Sequence, residues 1–318
     1  MTEVVDRSAD HAAVRERYTA AIDALVDEVR EDRSILAAIL CGSLSYDAVW
    51  SKSDVDLVFV TIDDRRIESS GRSLYADGVN VHALLLPRAH FRRLTEGSLR
   101  NSFMHSFIAR GRLLYTHDKT IARLFEDIME IGERDLRLQL FNAASQTLAC
   151  LDKARKWVVT RGDLEYAALW ILYAASSLAR IEVMSARLLA DREVIPRALQ
   201  LNPPFFATIY TELLNERKTP DRVNRALAAA DEYIAGHATT VFAPLLEHLR
   251  EVGETRSATD IEDHFSRNHG IEGAIIVCEY LADRGLIGKA GTPLQLTRRS
   301  TVTVQELAFF APSQPDGP

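Results

Sequence analysis

The sequence predicts an α+β protein in which strands are confined to the two ends of the chain. Strand-like runs occur before residue 120 and after residue 285, whereas long helical patterns fill the interval between them. The composition, with 47% hydrophobic and 26% charged residues, is that of an ordinary globular protein. A chain of 318 residues can form several cores. We therefore predict three domains, over residues 1–120, 121–250 and 251–312, followed by a disordered tail over 313–318.

The first predicted domain alternates helical and strand patterns. Apolar residues at helical spacing predict a helix over 12–30. Apolar or β-branched runs predict strands over 35–41, 56–61, 79–86 and 111–115. The pair Asp77-Gly78 predicts a hairpin turn before the third of these strands, and a further helix is predicted over 90–109. Together these elements predict a small mixed sheet flanked by helices.

The middle of the chain predicts a helical bundle. Helical patterns cover 121–131, 136–160, 163–189 and 221–249, and Gly, Pro and Asn-Pro-Pro segments separate them. The C-terminal region differs again. A helix is predicted to begin after Ser257 as N-cap, a second helix to span 271–283, and strands to form over 294–297 and 301–307, with the basic pair Arg298-Arg299 between them.

This order of two helices and a hairpin resembles a winged helix; the alternative is a small irregular α+β cap. The second helix carries acidic residues, which disfavours reading of the DNA major groove. We therefore interpret the region as a domain for protein contact or substrate shaping.

Two short segments of the first domain carry the clearest chemical signal. Gly42-Ser43 ends the first strand, and after a ten-residue gap Asp54 and Asp56 enter the second. Residues two apart on a strand project from the same face, so the two carboxylates can share one cation. Magnesium prefers such hard oxygen ligands and keeps positions open for water and phosphate. Gly42 allows a ligand to approach the backbone, and Ser43 offers a hydroxyl and an N–H group to phosphate oxygens.

Together, Gly42-Ser43 and Asp54-x-Asp56, each on its own predicted strand, resemble the signature of the nucleotidyltransferase superfamily related to DNA polymerase beta. The resemblance covers residues 12–120. It implies Mg²⁺, a nucleoside triphosphate (we expect ATP), attack of an acceptor hydroxyl on the α-phosphate, and release of pyrophosphate. It also implies that the helical region 121–250 closes over the nucleotide and the second substrate.

The sequence departs from this family at the third catalytic position, where a later strand commonly supplies a carboxylate. The same-face residues of the predicted strand over 79–86 are Asn80 and His82, and neither is acidic. His82 is a candidate general base, because the pKa of histidine lies near neutrality, or else a packed polar residue in a site without catalysis. Asp77 and Asp47 are weaker substitutes.

Other candidate residues have a functional and a structural interpretation. Lys52, Lys153 and Lys156 are candidate nucleotide ligands, and the alternative for each is a solvated surface position. Tyr166, Trp170 and Tyr173 follow at helical spacing, a pattern typical of core residues; the alternative is a stacking wall for a base or an acceptor ring.

We expect an enzyme that transfers a nucleotidyl group to a hydroxyl of a small molecule or a protein. The alternative is a non-catalytic nucleotide-binding regulator whose winged helix contacts DNA or a protein. The net charge of −7 disfavours a nucleic-acid partner other than through the winged helix. Nothing in the sequence predicts a membrane span. The sequence is compatible with a homodimer. Three dispersed cysteines predict free thiols in a reducing cytoplasm.

Overall fold

The computed structural model describes residues 8–46, 52–66, 69–95, 102–128, 133–190 and 193–312. The chain forms two compact units, Met1–Gly132 and Glu133–Pro318. The predicted tail over 313–318 lies outside the described residues. The second unit begins twelve residues after the predicted boundary at residue 120, because the helix that follows that boundary belongs to the first unit.

The first unit is a five-stranded sheet with helices on both faces. Its helices are α1 (Ser8–Arg30), α2 (Arg88–Thr95), α3 (Ser102–Ala109) and α4 (Lys119–Asp127). Its strands are β1 (Ile35–Cys41), β2 (Val55–Thr61), β3 (Ser70–Ala76), β4 (Val79–Pro87) and β5 (Arg112–Thr116), in the order β3-β4-β2-β1-β5. The pairing of β2 with β4 is parallel, and the other pairings are antiparallel. This confirms the predicted mixed sheet.

The hairpin between β3 and β4 turns at the predicted dipeptide. Asp77 and Gly78 have φ angles of 44° and 80°, as a two-residue hairpin turn requires at both central positions. The strand β3 itself was not predicted, because its sequence is polar and only weakly alternating. Within the predicted helix over 90–109 the structure describes α2 and α3, and residues 96–101 lie outside the described residues.

Different helices pack on the two faces of the sheet. On one face, α1 contributes Tyr18, Ile22 and Val26 to a core with the odd-numbered residues of β2 and β4. On the other face, α2 and α3 contact β4, β2 and β1, and bury Phe91 and Ile108. Alternation along a strand therefore sends neighbouring residues to two separate cores.

The second unit opens with a helical bundle, as predicted. It contains α5 (Glu133–Arg161), α6 (Leu164–Ser185), α7 (Val194–Leu201), α8 (Pro203–Phe206), a π-helical turn (Ala207–Thr211), α9 (Glu212–Asn215), α10 (Pro220–Val241) and α11 (Ala243–Val252). Gly162, with φ +62°, ends α5, and the Asp163 side chain caps α6 by accepting from the Tyr166 N–H. In the described part of the chain, α6 alone is long and apolar enough to cross a membrane, but 61% of its apolar window is buried inside the bundle.

The C-terminal part of this unit contains β6 (Arg256–Ser257), α12 (Ala258–His269), α13 (Ala274–Asp283), β7 (Gly288–Leu294) and β8 (Val304–Phe310), with the strands in the order β6-β8-β7. Ser257 caps α12 by accepting from the Asp260 N–H, which confirms that prediction. The hairpin strands are displaced from those predicted. The sequence of β7 contains two glycines and a proline, and pairing with β8 stabilises it despite this poor strand propensity. A winged-helix role for this region stays a prediction.

All three cysteines, Cys41, Cys150 and Cys278, are free thiols, as predicted.

Candidate metal and nucleotide site

The candidate site lies at one end of the sheet face that α2 and α3 cover only in part. Toward the covered end, Val58, Val60 and Leu86 are almost completely buried. Toward the other end the same face carries Asp54, Asp56, Asn80 and His82, all exposed or half-buried. The chain therefore changes from core residues to polar residues along a single face.

Strand register arranges the polar residues in two rows across β2, β4 and β3. Asp56 pairs with His82, which pairs with Ser73. One step along, Asn80 pairs with Tyr75, and Asp54 precedes the first parallel pair, Val55 with Val81. The structure thus brings together the predicted pairs Asp54/Asp56 and Asn80/His82, and adds the edge strand β3. Tyr75 is 77% exposed on that edge.

Asp56 and His82 are in direct contact. Asp56 Oδ1 lies 3.3 Å from His82 Nδ1, and the side chains are 31% and 57% exposed, respectively. Cys41 pairs with Asp56 from the other side of β2. Burial, with a smaller contribution from the Asp56 charge, raises the pKa of the Cys41 thiol far above its usual range. The thiol therefore stays protonated and inert beside the carboxylate.

Gly42 makes room for the Asp56 carboxylate. Its φ of +65° is a conformation that side chains other than glycine rarely adopt, and a Cβ at this position would overlap Asp56 Oδ2. Ser43 begins a short 3₁₀ turn, Ser43–Tyr46. The close approach that glycine permits at this position is therefore taken up by the Asp56 side chain.

Ser45, which no sequence motif predicted, fixes this turn. Its hydroxyl lies 2.7 Å from the Gly42 carbonyl oxygen and 3.2 Å from that of Arg110, and its N–H donates to Gly42 O at 3.1 Å. The turn after β1 is therefore attached to the segment before β5. A serine three residues after a strand-ending glycine was the available signal, since serine hydroxyls often bond to nearby backbone groups in turns.

The carboxylates of Asp54 and Asp56 offer the oxygen donors that a hard divalent cation prefers. His82 lies at the same end of the sheet face, with Nδ1 within hydrogen-bonding distance of Asp56 Oδ1. Within the described ranges, no three His, Cys, Asp or Glu side chains form a ready metal cluster. A cation bound here would therefore need water or phosphate oxygens to complete its coordination.

The predicted lysines lie on the surface. Lys52 is exposed two residues before Asp54. Lys153 and Lys156 are exposed on α5, in the second unit. A role for any of them in nucleotide binding stays a prediction. Asp47 lies outside the described residues.

The aromatic stripe on α6 is not the core stripe that its spacing favoured. Tyr166 is 39% and Tyr173 54% exposed, and Trp170 lies between them with edge-to-face contacts to both. Trp157 of α5 extends the row by contacting Tyr166 at 4.5 Å between ring centroids. The buried face of α6 is formed instead by small residues, among them Ala167, Ala174 and Ala175.

Comparison with known proteins supports the fold. No protein-family model matches the sequence, and no curated protein matches it either. Among solved structures, the chain is similar to a nucleotidyltransferase-like protein from Exiguobacterium sibiricum 255-15, with a TM-score of 0.62 and 17% sequence identity. The likeness covers 92% of this chain and 99% of the other. This chain has a nucleotidyltransferase-like fold. The match extends through both compact units, so the helical and C-terminal regions belong to the shared architecture.

Proposed function

We propose that this protein is a divalent-metal-dependent nucleotidyltransferase that transfers a nucleoside monophosphate from a triphosphate, with ATP as the expected donor. The observation that carries the proposal is the pair of carboxylates at the uncovered end of the sheet face, with Gly42 shaped around one of them. Two acidic side chains on one strand repel each other unless a cation lies between them. The shared fold supports nucleotidyl transfer in general, and the site residues supply the rest of the argument.

Each residue of the site has a proposed role. Asp54 and Asp56 would hold Mg²⁺, which neutralises charge on the phosphates when it is bound. The backbone at Gly42 and the hydroxyl and N–H of Ser43 would bind the triphosphate oxygens, and Lys52 would add a positive charge nearby. Lys153 and Lys156 are proposed as further nucleotide ligands, on the strength of their positive charge.

The reaction exchanges one phosphorus–oxygen bond for another. An acceptor hydroxyl oxygen attacks the α-phosphorus, the bond from the α-phosphorus to the bridging oxygen breaks, and pyrophosphate leaves with that oxygen. The hydroxyl proton passes to solvent or to a base in the site. The proposed acceptor is a hydroxyl of a small molecule or a protein, because the net charge of −7 does not favour a nucleic acid. The proposed setting is the cytoplasm, in keeping with three free thiols.

Binding of a triphosphate tests this proposal without knowledge of the acceptor. We expect calorimetry to detect binding of a non-hydrolysable ATP analogue with Mg²⁺, and Asp54→Asn and Asp56→Asn to weaken it at least about tenfold, as loss of a metal ligand should. Asp127→Asn, at the end of α4 in the same unit, is the matched control and should bind like the native protein. Equal affinity in all four proteins would show that the nucleotide does not use this site.

A regulatory protein that binds nucleotide without turnover is the second candidate. It is favoured by the position next to Asp56 on β4, where an acceptor-activating carboxylate would lie and where this chain has His82. The two candidates differ in pyrophosphate release, which only the enzyme produces. The regulator would in addition show DNA or protein binding through residues 251–312, and DNA binding would weaken steeply with added salt.

A further inference from the structure

We infer that His248, His264 and His269 form an acid-sensitive latch, which holds helix α12 against the helical bundle and releases it when two stacked histidine rings are both protonated. All three residues lie in the second unit, so the latch is independent of the proposed metal and nucleotide site in the first. The proposed function leaves these titratable side chains without a role. The latch would give the protein a response to pH that acts through the C-terminal part of the chain.

The centre of the latch is a pair of stacked imidazole rings from two different helices. His248 lies on α11 and His264 on α12, with 3.9 Å between the ring centroids and 25° between the ring planes. The ring of His269, at the end of α12, lies 5.8 Å from that of His264. Neutral imidazole rings can stack at this separation, whereas two imidazolium cations repel each other. The contact between α11 and α12 at this point is therefore stable only while the stack carries at most one proton charge.

A cavity of about 290 Å³ lies beside the stack, and all three histidine rings line it. None of the three residues is fully buried, and each is of intermediate exposure. Protons can therefore reach the rings from solvent without unfolding of the chain. In addition, the Asn268 side-chain amide donates to His264 Nδ1 at 3.3 Å, a bond that requires this nitrogen to be unprotonated. The arrangement is thus specific for the neutral ring.

The charged groups that face the rings balance one another while the rings are neutral. From α5, Arg137 forms an ion pair with Glu247 of α11, and both line the cavity. Glu251 of α11 lines the same cavity, and the charge of Arg256 in β6 also acts on the stack. Two cations and two carboxylates therefore surround the histidines. A second or third imidazolium adds positive charge, and no further carboxylate among the described residues that face the stack offsets it.

The stacked rings are neutral at pH 7 and become charged on acidification. Burial lowers the pKa of His248, and the charges of His264 and Arg256 lower it further against a weaker opposing effect of Glu251. Burial also lowers the pKa of His264, again opposed by Glu251. Since the released rings regain the usual pKa of 6.5, the released state binds protons more readily. The latch therefore contributes stability above pH 6.5 and loses it as the pH falls toward the pKa values of the closed state.

The latch adjoins the aromatic contact that attaches α12 to the bundle. Phe265 of α12 is 1% exposed, and its ring centroid lies 4.8 Å from that of Phe141 in α5. The rings of His264 and His269 lie 5.1 and 5.9 Å from Phe265. Repulsion among charged histidines therefore acts directly on the contact that holds α12. The packing of α6 against the bundle does not involve these residues, so it should stay intact.

Hydrogen exchange of the full-length protein, measured by mass spectrometry, tests the latch. Peptides from α12 and α6 are compared at about pH 7.5 and about pH 5, with correction for the intrinsic pH dependence of exchange. We expect the protection of α12 to fall at least about tenfold at the lower pH, as one unit of pKa difference would give, while α6 keeps its protection.

Two substitutions of His264 separate the latch from a general sensitivity to acid. His264→Phe keeps an aromatic ring in the stack that cannot be protonated, so α12 should stay protected at both pH values. His264→Lys places a permanent charge beside His248, so α12 should lose protection at both. His117→Phe, in the first unit, is the matched control and should respond to pH like the native protein.

NMR titration of the imidazole signals provides a second test, which does not depend on helix opening. In the native protein both stacked histidines should titrate below pH 6.5, and the pKa of His248 should be higher in His264→Phe, because the neighbouring charge is absent. Native protection of α12 at both pH values, or an acid-induced loss that α6 shares or that His264→Phe retains, would overturn the latch. A pKa at or above 6.5 for either stacked ring in the native protein would overturn it as well.

Discussion

On the sheet face that α2 and α3 contact, the two ends differ more in the burial of their side chains than the two faces of the sheet differ from each other. At the covered end, Val58 and Leu86 are buried beneath helices and contribute to stability. At the other end, which α2 and α3 leave uncovered among the described residues, Asp56 and His82 are partly exposed and contact each other. Strand alternation assigns a side chain to a face, but the extent of the covering helices decides whether that position serves as core or as site.

Placing an acidic residue at the covered end, or an apolar one at the site, should have the largest effects on stability and metal binding. We expect Val58→Asp to lower the free energy of unfolding of the first unit by about 3 kcal/mol or more, because a carboxylate would be buried without a partner. Asp56→Val, two residues away on the same face, should leave this free energy unchanged or higher and remove metal binding. Urea denaturation monitored by circular dichroism measures both. Similar losses of stability in the two variants would contradict the division.

Gly42→Ala should have the next largest effect. It carries the cost of a left-handed conformation, about 1–2 kcal/mol, and in addition crowds the Asp56 carboxylate. Gly78→Ala is the matched control, since Gly78 also has positive φ but a Cβ there would meet no atom within 4 Å. Denaturant melts should show a greater loss for Gly42→Ala, and adding Asp56→Ala should recover the difference. If the two alanine variants lose the same stability, Gly42 is not shaped around Asp56.

Protonation of His105, the histidine of the covering helix α3, should have a smaller effect on the free energy of unfolding. It is 1% exposed, and burial lowers its pKa below the usual 6.5, against a weaker opposing hydrogen bond with the Ile128 backbone. The unfolded chain therefore binds the proton more readily, so this contribution to stability is present above pH 6.5 and is lost as the pH falls toward the pKa of the folded state. NMR titration of the imidazole signals should show His105 titrating below pH 6.5. A pKa for His105 at or above 6.5 would contradict its burial beneath the covering helices.

Tyr75→Ser should have the smallest effect on stability. The ring is 77% exposed on an edge strand, so we expect a change within about 0.5 kcal/mol in the free energy of unfolding, measured by thermal melts. A much larger loss would show that the uncovered end is covered in solution by another part of the protein or by a second copy.

Much of this arrangement could be predicted from local pattern. The period of two along β2 and β4 placed Asp54 with Asp56 and Asn80 with His82, and Asp77-Gly78 marked the hairpin. The contact between Asp56 and His82 could not be predicted, because it depends on the parallel register of two strands that are separated by β3 in the chain. That register is set by tertiary packing, which local periodicity does not contain.

The predictions that were wrong, for β7 and for the aromatic residues of α6, were also overridden by tertiary packing. The strand β7 was displaced because its glycines and proline give no strand signal, and pairing with β8 decides its position. The stripe of Tyr166 and Tyr173 looked like core because aromatic side chains at helical spacing usually face inward, whereas here alanines let α6 pack closely and the rings lie outside. Small residues were the better guide to the packed face.

Anomalous diffraction from crystals grown with Mn²⁺ and a non-hydrolysable ATP analogue would locate the metal itself. We expect an anomalous peak in contact with the carboxylates of Asp54 and Asp56, with the triphosphate bound along Gly42 and Ser43. A triphosphate bound elsewhere, or one bound here with no metal at the two aspartates, would contradict this expectation.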